Sequence, residues 1–418
     1  MSRGAVAIVG AGFAGLKCAL ELQQKGIPYA IYEASDGVGG RARTDELEGF
    51  RLDRGFQVLL TAYPEAQKSF SYESLRLGSF VPGAMVRMRG IFAEFADPLR
   101  RPRSAIGAAS SPIGTFADKL RLFRMRSELV AADPQALMRR PETTTLEALV
   151  DRGFSTSMIE GFFRPFFGGV FIDPDLVTSS RIMEIFMRCF STGDTALPAG
   201  GMGRLAEQLA SDLDAGSIHL NHAVRKVETD GLVLDDGSRV DAEAVVVAVD
   251  ESSASGLCGL PAPQGQGRVT TCLYFDAPES AVAGPWLVLS PGNGGPINEL
   301  AVPSSVASGY APPGRSLVSV STLETDDEAS LLESVKFELA EWFGAEAVSI
   351  WRHLRSYRVE HALPSFEPGR SRPTGEDPRL ESGLFICGDH RETPSIQGAL
   401  VSGRKAARAV GRQLAASA

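Results

Sequence analysis

Apolar positions along the chain fall into two patterns. Short unbroken runs at 5–9, 29–32 and 244–249 have the length and composition of strands buried on both faces, as in a parallel sheet. After the first run, Leu16, Ala19, Leu20 and Leu22 recur at helical spacing, and further helices are expected over 115–130, 177–190, 205–213 and 326–342. Short strands are expected at 219–220, 223–227 and 231–234, with a hairpin turn at Asp235-Asp236-Gly237. Over 261–375 the pattern changes to that of an antiparallel sheet, with strands at 269–275, 286–290, 299–302 and 316–323. Five phenylalanines fall in the ten positions from Phe162 to Phe171, with Pro165 and Gly168-Gly169 expected to break any long helix there. The combination suits the wall of an apolar cavity.

The first apolar run breaks directly into Gly10-x-Gly12-Phe13-Ala14-Gly15, giving strand, tight turn and helix. Gly10 permits the turn, Gly12 lets the backbone approach a pyrophosphate, and Gly15 lets helix and strand pack closely. Phosphates then rest on the helix N-terminus, where free N–H groups and the dipole favour negative charge. The second run ends at Glu33, followed by Ala34, at the spacing where an acid accepts hydrogen bonds from an adenosine ribose and disfavours a 2′-phosphate. A glycine-rich turn alone is weak evidence, but here strand, glycines, helix, strand and acid fall in register.

Glu33-Ala34-Ser35-Asp36-Gly37-Val38-Gly39-Gly40-Arg41 resembles the FAD-binding fingerprint of the flavin amine oxidase and phytoene desaturase superfamily. The resemblance implies that Gly39 and Gly40 run along the pyrophosphate and ribityl chain with Arg41 as counter-charge. It sets Gly55 and Phe56, in Asp53-Arg54-Gly55, beside the flavin, Val224 behind the adenine, and Ala248 closing that side. Gly388-Asp389 matches the family's contact to the ribityl or pyrophosphate group. Ile396-Gln397-Gly398-Ala399 matches a helix start whose N-terminus faces flavin N1 and C2=O, where it stabilises a reduced ring by ~1 kcal/mol or more. The Gly200-Gly201-Met202-Gly203 cluster lacks the dinucleotide spacing, and no strand is expected before it, so no NAD(P)H site is expected.

The expected fold is therefore α/β with α+β lobes. A Rossmann-type FAD domain, discontinuous in sequence, takes 1–85, 198–260 and 376–418; a substrate domain of antiparallel sheet, helices and helical lid takes 86–197 and 261–375. The expected cofactor is FAD, non-covalent, since no cysteine or histidine is singled out for attachment. The resemblance implies hydride transfer to flavin N5 from a hydrophobic, isoprenoid or carotenoid-like substrate. The alternatives are an amine oxidase, a protoporphyrinogen oxidase-like enzyme, or a non-redox FAD-dependent isomerase. Amine oxidases of the superfamily usually carry a lysine on a substrate-lobe strand, and Thr271 matches that position here. Tyr357 and Gln57 are candidates for the ring and the substrate cavity. No catalytic side chain is assigned.

Composition changes the picture at two points. With 418 residues, 44% of them hydrophobic, the chain has ample core for two or three lobes, and its formal charge of −9 argues against a nucleic-acid partner. Five widely spaced cysteines without a CxxC and five scattered histidines indicate neither a disulfide framework nor a metal site. The first strand begins within five residues, no apolar run approaches ~18 residues, and a cytoplasmic location is expected. Residues 86–140 carry eleven basic against five acidic side chains. Their helix, with Phe116, Leu120 and Phe123 among the charges, reads as a lid or as an interfacial helix, so that 86–130 makes peripheral contact with anionic lipid. Oligomeric state has no signature in the sequence.

Overall fold

The computed structural model describes residues 5–88, 90–101, 111–263, 267–291, 295–323, 327–370 and 377–417. Val6–Val9 lies at the centre of a six-stranded sheet, paired in parallel with Tyr29–Tyr32 on one side and Ala244–Val247 on the other. Ile218–His219 and Leu384–Ile386 extend it in parallel, and Arg379–Glu381 closes one edge antiparallel. Every residue of Val6–Val9 and Ala244–Val247 is buried, which explains the unbroken apolar runs. Val6, Ile8, Ala244 and Val246 pack under the helices Phe13–Gln23 and Ile396–Ser417. Ala7, Val9, Val245 and Val247 pack against Val227, Leu232 and Leu234, from the three-stranded sheet Val224–Glu228, Gly231–Leu234, Arg239–Asp241. The two helices touch at Gly403, where a Cβ would stand 2.1 Å from the Ala14 carbonyl oxygen.

A second sheet has seven strands in the order Arg352–Leu363, Arg268–Ala277, Ser316–Thr322, Ile297–Ala301, Leu287–Leu289, Gly83–Met88, Ile91–Ala96. Its side chains alternate between two cores. Cys272 and Tyr274 face the core shared with the first sheet, while Leu273 and Phe275 join Val318, Val320 and the helix Glu328–Phe343 on the far side. The expected start of that helix at 326 lies outside the described residues.

Three expectations are corrected. The phenylalanine segment does not break: helix continues from Thr156 through a π-turn at Ile159–Phe163 into Arg164–Phe171. Pro165 falls in the first turn of the last segment, where its missing N–H leaves little unsatisfied, and the π-turn absorbs the change of pitch. The next helix starts at Ser180 rather than 177, because Asp173 ties the preceding turn by accepting from the Thr178 N–H (2.7 Å) and hydroxyl (2.6 Å). A short strand, Thr195–Leu197, does precede the second glycine cluster, but it belongs to a small antiparallel sheet, so a phosphate-binding strand-turn-helix is still not formed there.

Candidate cofactor and substrate cavity

One cavity of about 760 Å³ runs from the first glycine turn to the phenylalanine helix, near the upper end of the ~300–1,000 Å³ usual for small-molecule sites. At one end it is walled by Gly10, Gly12, Phe13, Ala14, Glu33, Gly39, Gly40 and Arg41, with Ala248, Gly388, Asp389, Ile396 and Ala399 opposite. Gly55 and Phe56 line its middle. Sixteen residues singled out from the sequence, if Gln57 is counted, thus meet on one surface.

The others sit behind it or elsewhere. Gly15 and Gly398 are packing glycines, since a Cβ would fall 2.0 Å from the Gly10 and Thr393 carbonyl oxygens respectively. Gln397 is committed to accepting from the Glu65 N–H at 2.9 Å. Ala34 does not line the cavity, and Val224 belongs to the three-stranded sheet behind it. Tyr357 turns away to donate to Asp45 at 2.8 Å. On Arg268–Ala277 the cavity-lining residue is Thr270, one position from the expected Thr271, because alternation along the strand turns neighbours to opposite faces.

The glycine turn is built for close approach. Gly10 has φ +102°, and a Cβ there would meet the Ala248 carbonyl oxygen at 2.9 Å. Gly12 differs: its backbone is extended, and a Cβ would meet no protein atom within 4 Å. It caps an eleven-residue helix with no side-chain cap, so its first N–H groups are available to an anion. The Glu33 carboxylate is held at the wall by the Ala11 N–H (2.7 Å), the Ser35 N–H (2.9 Å) and the Ser35 hydroxyl (2.7 Å). Arg41 donates to Asp389 at 2.7 Å and to the Ala362 carbonyl at 2.8 Å, while Gln57 donates to the Arg41 carbonyl at 2.7 Å. Beside them His390 is buried, and neither ring nitrogen has a hydrogen-bond partner among the described residues. Burial pushes its pKa down to about 4, so the ring is neutral. The open cradle at Gly12 and the uncapped helix fit a bound dinucleotide.

Behind Gly55 and Phe56, Asp53 is a buried strut that the sequence did not mark. It accepts from Thr44 (2.6 Å), the Met202 N–H (2.9 Å) and Tyr310 (2.7 Å), tying the hairpin Thr44–Leu47/Phe50–Asp53 to the second glycine cluster. Desolvation raises its pKa to about 6 against the lowering effect of these donors.

The far end is apolar. Phe95, Phe162, Phe166, Phe186 and Phe190 line it, with Phe95 edge-on to Phe162 at 4.8 Å. The helix Phe116–Ala131 crosses the mouth, opened by a capping box of Thr115 and Asp118. Its Phe116, Lys119, Leu122, Phe123 and Arg126 line the cavity, yet Phe116 is 76% exposed and Phe123 44%. Arg126 pairs with Asp97 at 2.8 Å and Arg100 with Asp194.

The uncapped helix start at Gly12 and the phenylalanine-lined chamber thus share one continuous cavity. Residues 13–411 match the family described as flavin containing amine oxidoreductase, and the chain belongs to it. Among relatives, protoporphyrinogen oxidase 2 of Arabidopsis thaliana is 24% identical over 171 residues, covering 41% of this chain and 33% of its own. The coproporphyrinogen III oxidase of Bacillus subtilis is 22% identical over 301 residues, 62% of each. The lycopene-forming phytoene desaturase of Pantoea ananas is 46% identical over 52 residues, 12% of this chain and 11% of its own. The match thus spans a tenth to three-fifths of these relatives' length. A solved structure of a putative protoporphyrinogen oxidase from Exiguobacterium sp. superposes with a TM-score of 0.73 at 15% identity, covering 99% of this chain and 100% of the other, which establishes the fold. Among the described residues no helix is long and apolar enough to cross a membrane.

Proposed function

We propose that the flavin is FAD, held without a covalent bond, and that the enzyme oxidises a hydrophobic substrate taken into the phenylalanine-lined chamber. The observation that carries this reading is the continuity of the cavity from Gly12 and Glu33 to Phe162 and Phe166. FAD supplies the hydride-accepting chemistry. The chain supplies the phosphate cradle, a ribose acceptor in Glu33, and an apolar wall that excludes water from the reacting end. The helix Ile396–Ser417 supports the ring, its first residues Ile396 and Ala399 lining the site. Carotenoid-like desaturation is the favoured reaction class, since five phenylalanines suit a long unsaturated skeleton. An amine oxidase is disfavoured because Thr270 and its neighbours supply no lysine on that strand, and a threonine cannot provide the ammonium that organises a water beside the flavin.

The mouth helix further supports peripheral contact with an anionic membrane, from which such a substrate would enter. Phe116, Leu120 and Phe123 are exposed beside Arg121 and Arg124, the pairing of apolar and basic residues that suits a lipid interface. Acid or heat release of the bound chromophore, followed by its identification, tests the cofactor. Intact FAD in the supernatant is expected; flavin retained on the precipitated chain would overturn the non-covalent assignment.

A further inference from the structure

One ionisable side chain of the chamber has no part in the cofactor cradle. Glu299 stands on Ile297–Ala301, in register with Ser321 on the neighbouring strand. It is 9% exposed, lines the cavity and forms no ion pair among the described residues. The other charged groups of the lining are committed: Arg54 to Asp45, Arg100 to Asp194, Arg126 to Asp97, Arg41 to Asp389, Lys119 to the Ser111 carbonyl, and Asp250 to Ser253. The facing helix makes room for the carboxyl. Gly169, inside Arg164–Phe171, would carry a Cβ only 2.7 Å from Glu299 Oε2. Glycine is a poor helix former, and here a larger residue would push aside the ends of the Glu299 and Asn298 side chains.

An uncompensated carboxyl in an apolar wall is costly to bury. Among the described residues the Ser321 hydroxyl donates to it, and burial pushes its pKa up to about 7. The groups packed on it do not titrate nearby. Cys272, across Ser321 on the next strand, has its thiol raised to about 11 by burial, and Arg164, the charged residue of the facing helix, is engaged by Glu160 at 2.6 Å.

We propose that Glu299 is the polar anchor of the substrate chamber, and that the substrate is a hydrophobic molecule bearing a hydroxyl or N–H donor that bonds to this carboxyl. The inference rests on the chamber being the substrate's place, and it counts against a pure hydrocarbon. As a carboxylate, above pH 7, Glu299 only accepts, so a donor is required of the ligand; as an acid, below pH 7, it donates too and tolerates an ether oxygen.

The test is equilibrium titration of the flavin-loaded protein with geranylgeraniol and with its methyl ether, followed by flavin difference spectra. The alcohol is expected to bind at least 10-fold more tightly at pH 8.5, with the preference shrinking several-fold at pH 5.5. Glu299→Gln, which keeps shape but both donates and accepts, is expected to abolish the pH dependence, and Gly169→Ala to weaken the alcohol by displacing the carboxyl. Should the variants fail to fold, the wild-type pH comparison still decides. Equal binding of alcohol and ether at pH 8.5 would overturn the anchor while leaving the chamber as the binding site; binding of neither would overturn both.

Discussion

Arg41 and Asp389 lie 348 positions apart in sequence and 2.7 Å apart in space. Their ion pair joins the turn after the second strand of the sheet to the turn before the last helix, so the two halves of the cofactor wall are fixed to each other. Asp389 is buried and Arg41 half-buried, with side-chain exposures of 6% and 35%. Removing Asp389 therefore leaves a cation short of its partner. Hydrogen bonds to charged groups contribute about 1.5–3 kcal/mol, so Asp389→Ala and Arg41→Ala should each weaken flavin binding roughly 10- to 100-fold. Reconstitution of apoprotein followed by flavin fluorescence measures this, and the double variant should lose less than the sum of the singles.

Two glycines of the same motif should respond oppositely. Gly12 has open space where a side chain would go, while a Cβ at Gly15 would stand 2.0 Å from the Gly10 carbonyl oxygen. Gly12→Val should fold with an unchanged circular dichroism spectrum yet purify colourless, because the branched side chain occupies the phosphate position. Gly15→Ala should lose the fold itself. A yellow Gly12→Val protein would show that the phosphates do not approach that backbone.

Asp53 predicts a pH dependence of stability. Its folded pKa, about 6, lies above the usual 3.8, so the folded state holds the proton more tightly than the unfolded chain. This group's contribution is fully present below about pH 4 and is lost as pH rises through 6. Asp53→Asn should remove that slope: thermal denaturation should find the wild type gaining on the variant at pH 4.5 relative to pH 7.5. A constant difference across that range would contradict the assignment.

The proposed membrane contact predicts steep salt dependence. Each basic residue near an anionic surface contributes about 1 kcal/mol, screened over about 10 Å at 0.1 M salt. Flotation with phosphatidylserine-containing liposomes should recover the protein at low salt and lose it by about 0.5 M, and Phe116→Ser with Phe123→Ser should weaken it further. Absence of binding at low salt would leave the helix as a lid alone.

What the sequence revealed follows from how local each feature is. The glycine turn, Glu33, Gly39-Gly40-Arg41 and Gly388-Asp389 were legible because each combines a strand end with a backbone requirement within a few residues. Gly15 packs as its place in the motif implies, whereas Gly398, expected at the flavin, also serves packing, a distinction that depends on which carbonyl lies opposite. Asp53 and Glu299 were missed since their roles depend on partners 149 to 257 residues away for the first and on a facing helix for the second. For Glu299 a signal did exist: it is the one acid of the short strand Ile297–Ala301, between Asn298 and the apolar Leu300-Ala301. The unbroken phenylalanine helix was hidden because a π-turn relocates Pro165 to a first turn, which residue propensities do not encode.

The central claim is redox chemistry on a hydrophobic substrate, and anaerobic bleaching of the bound flavin tests it most directly. Stopped-flow absorbance would follow the enzyme against polyprene alcohols, porphyrinogens and primary, secondary and tertiary amines, with peroxide release read after admission of oxygen. Bleaching by a polyprene, with no reduction by simple amines and slow reoxidation by oxygen, is the predicted result. Rapid bleaching by a simple amine with stoichiometric peroxide, or turnover of a substrate with the flavin never reduced, would contradict it.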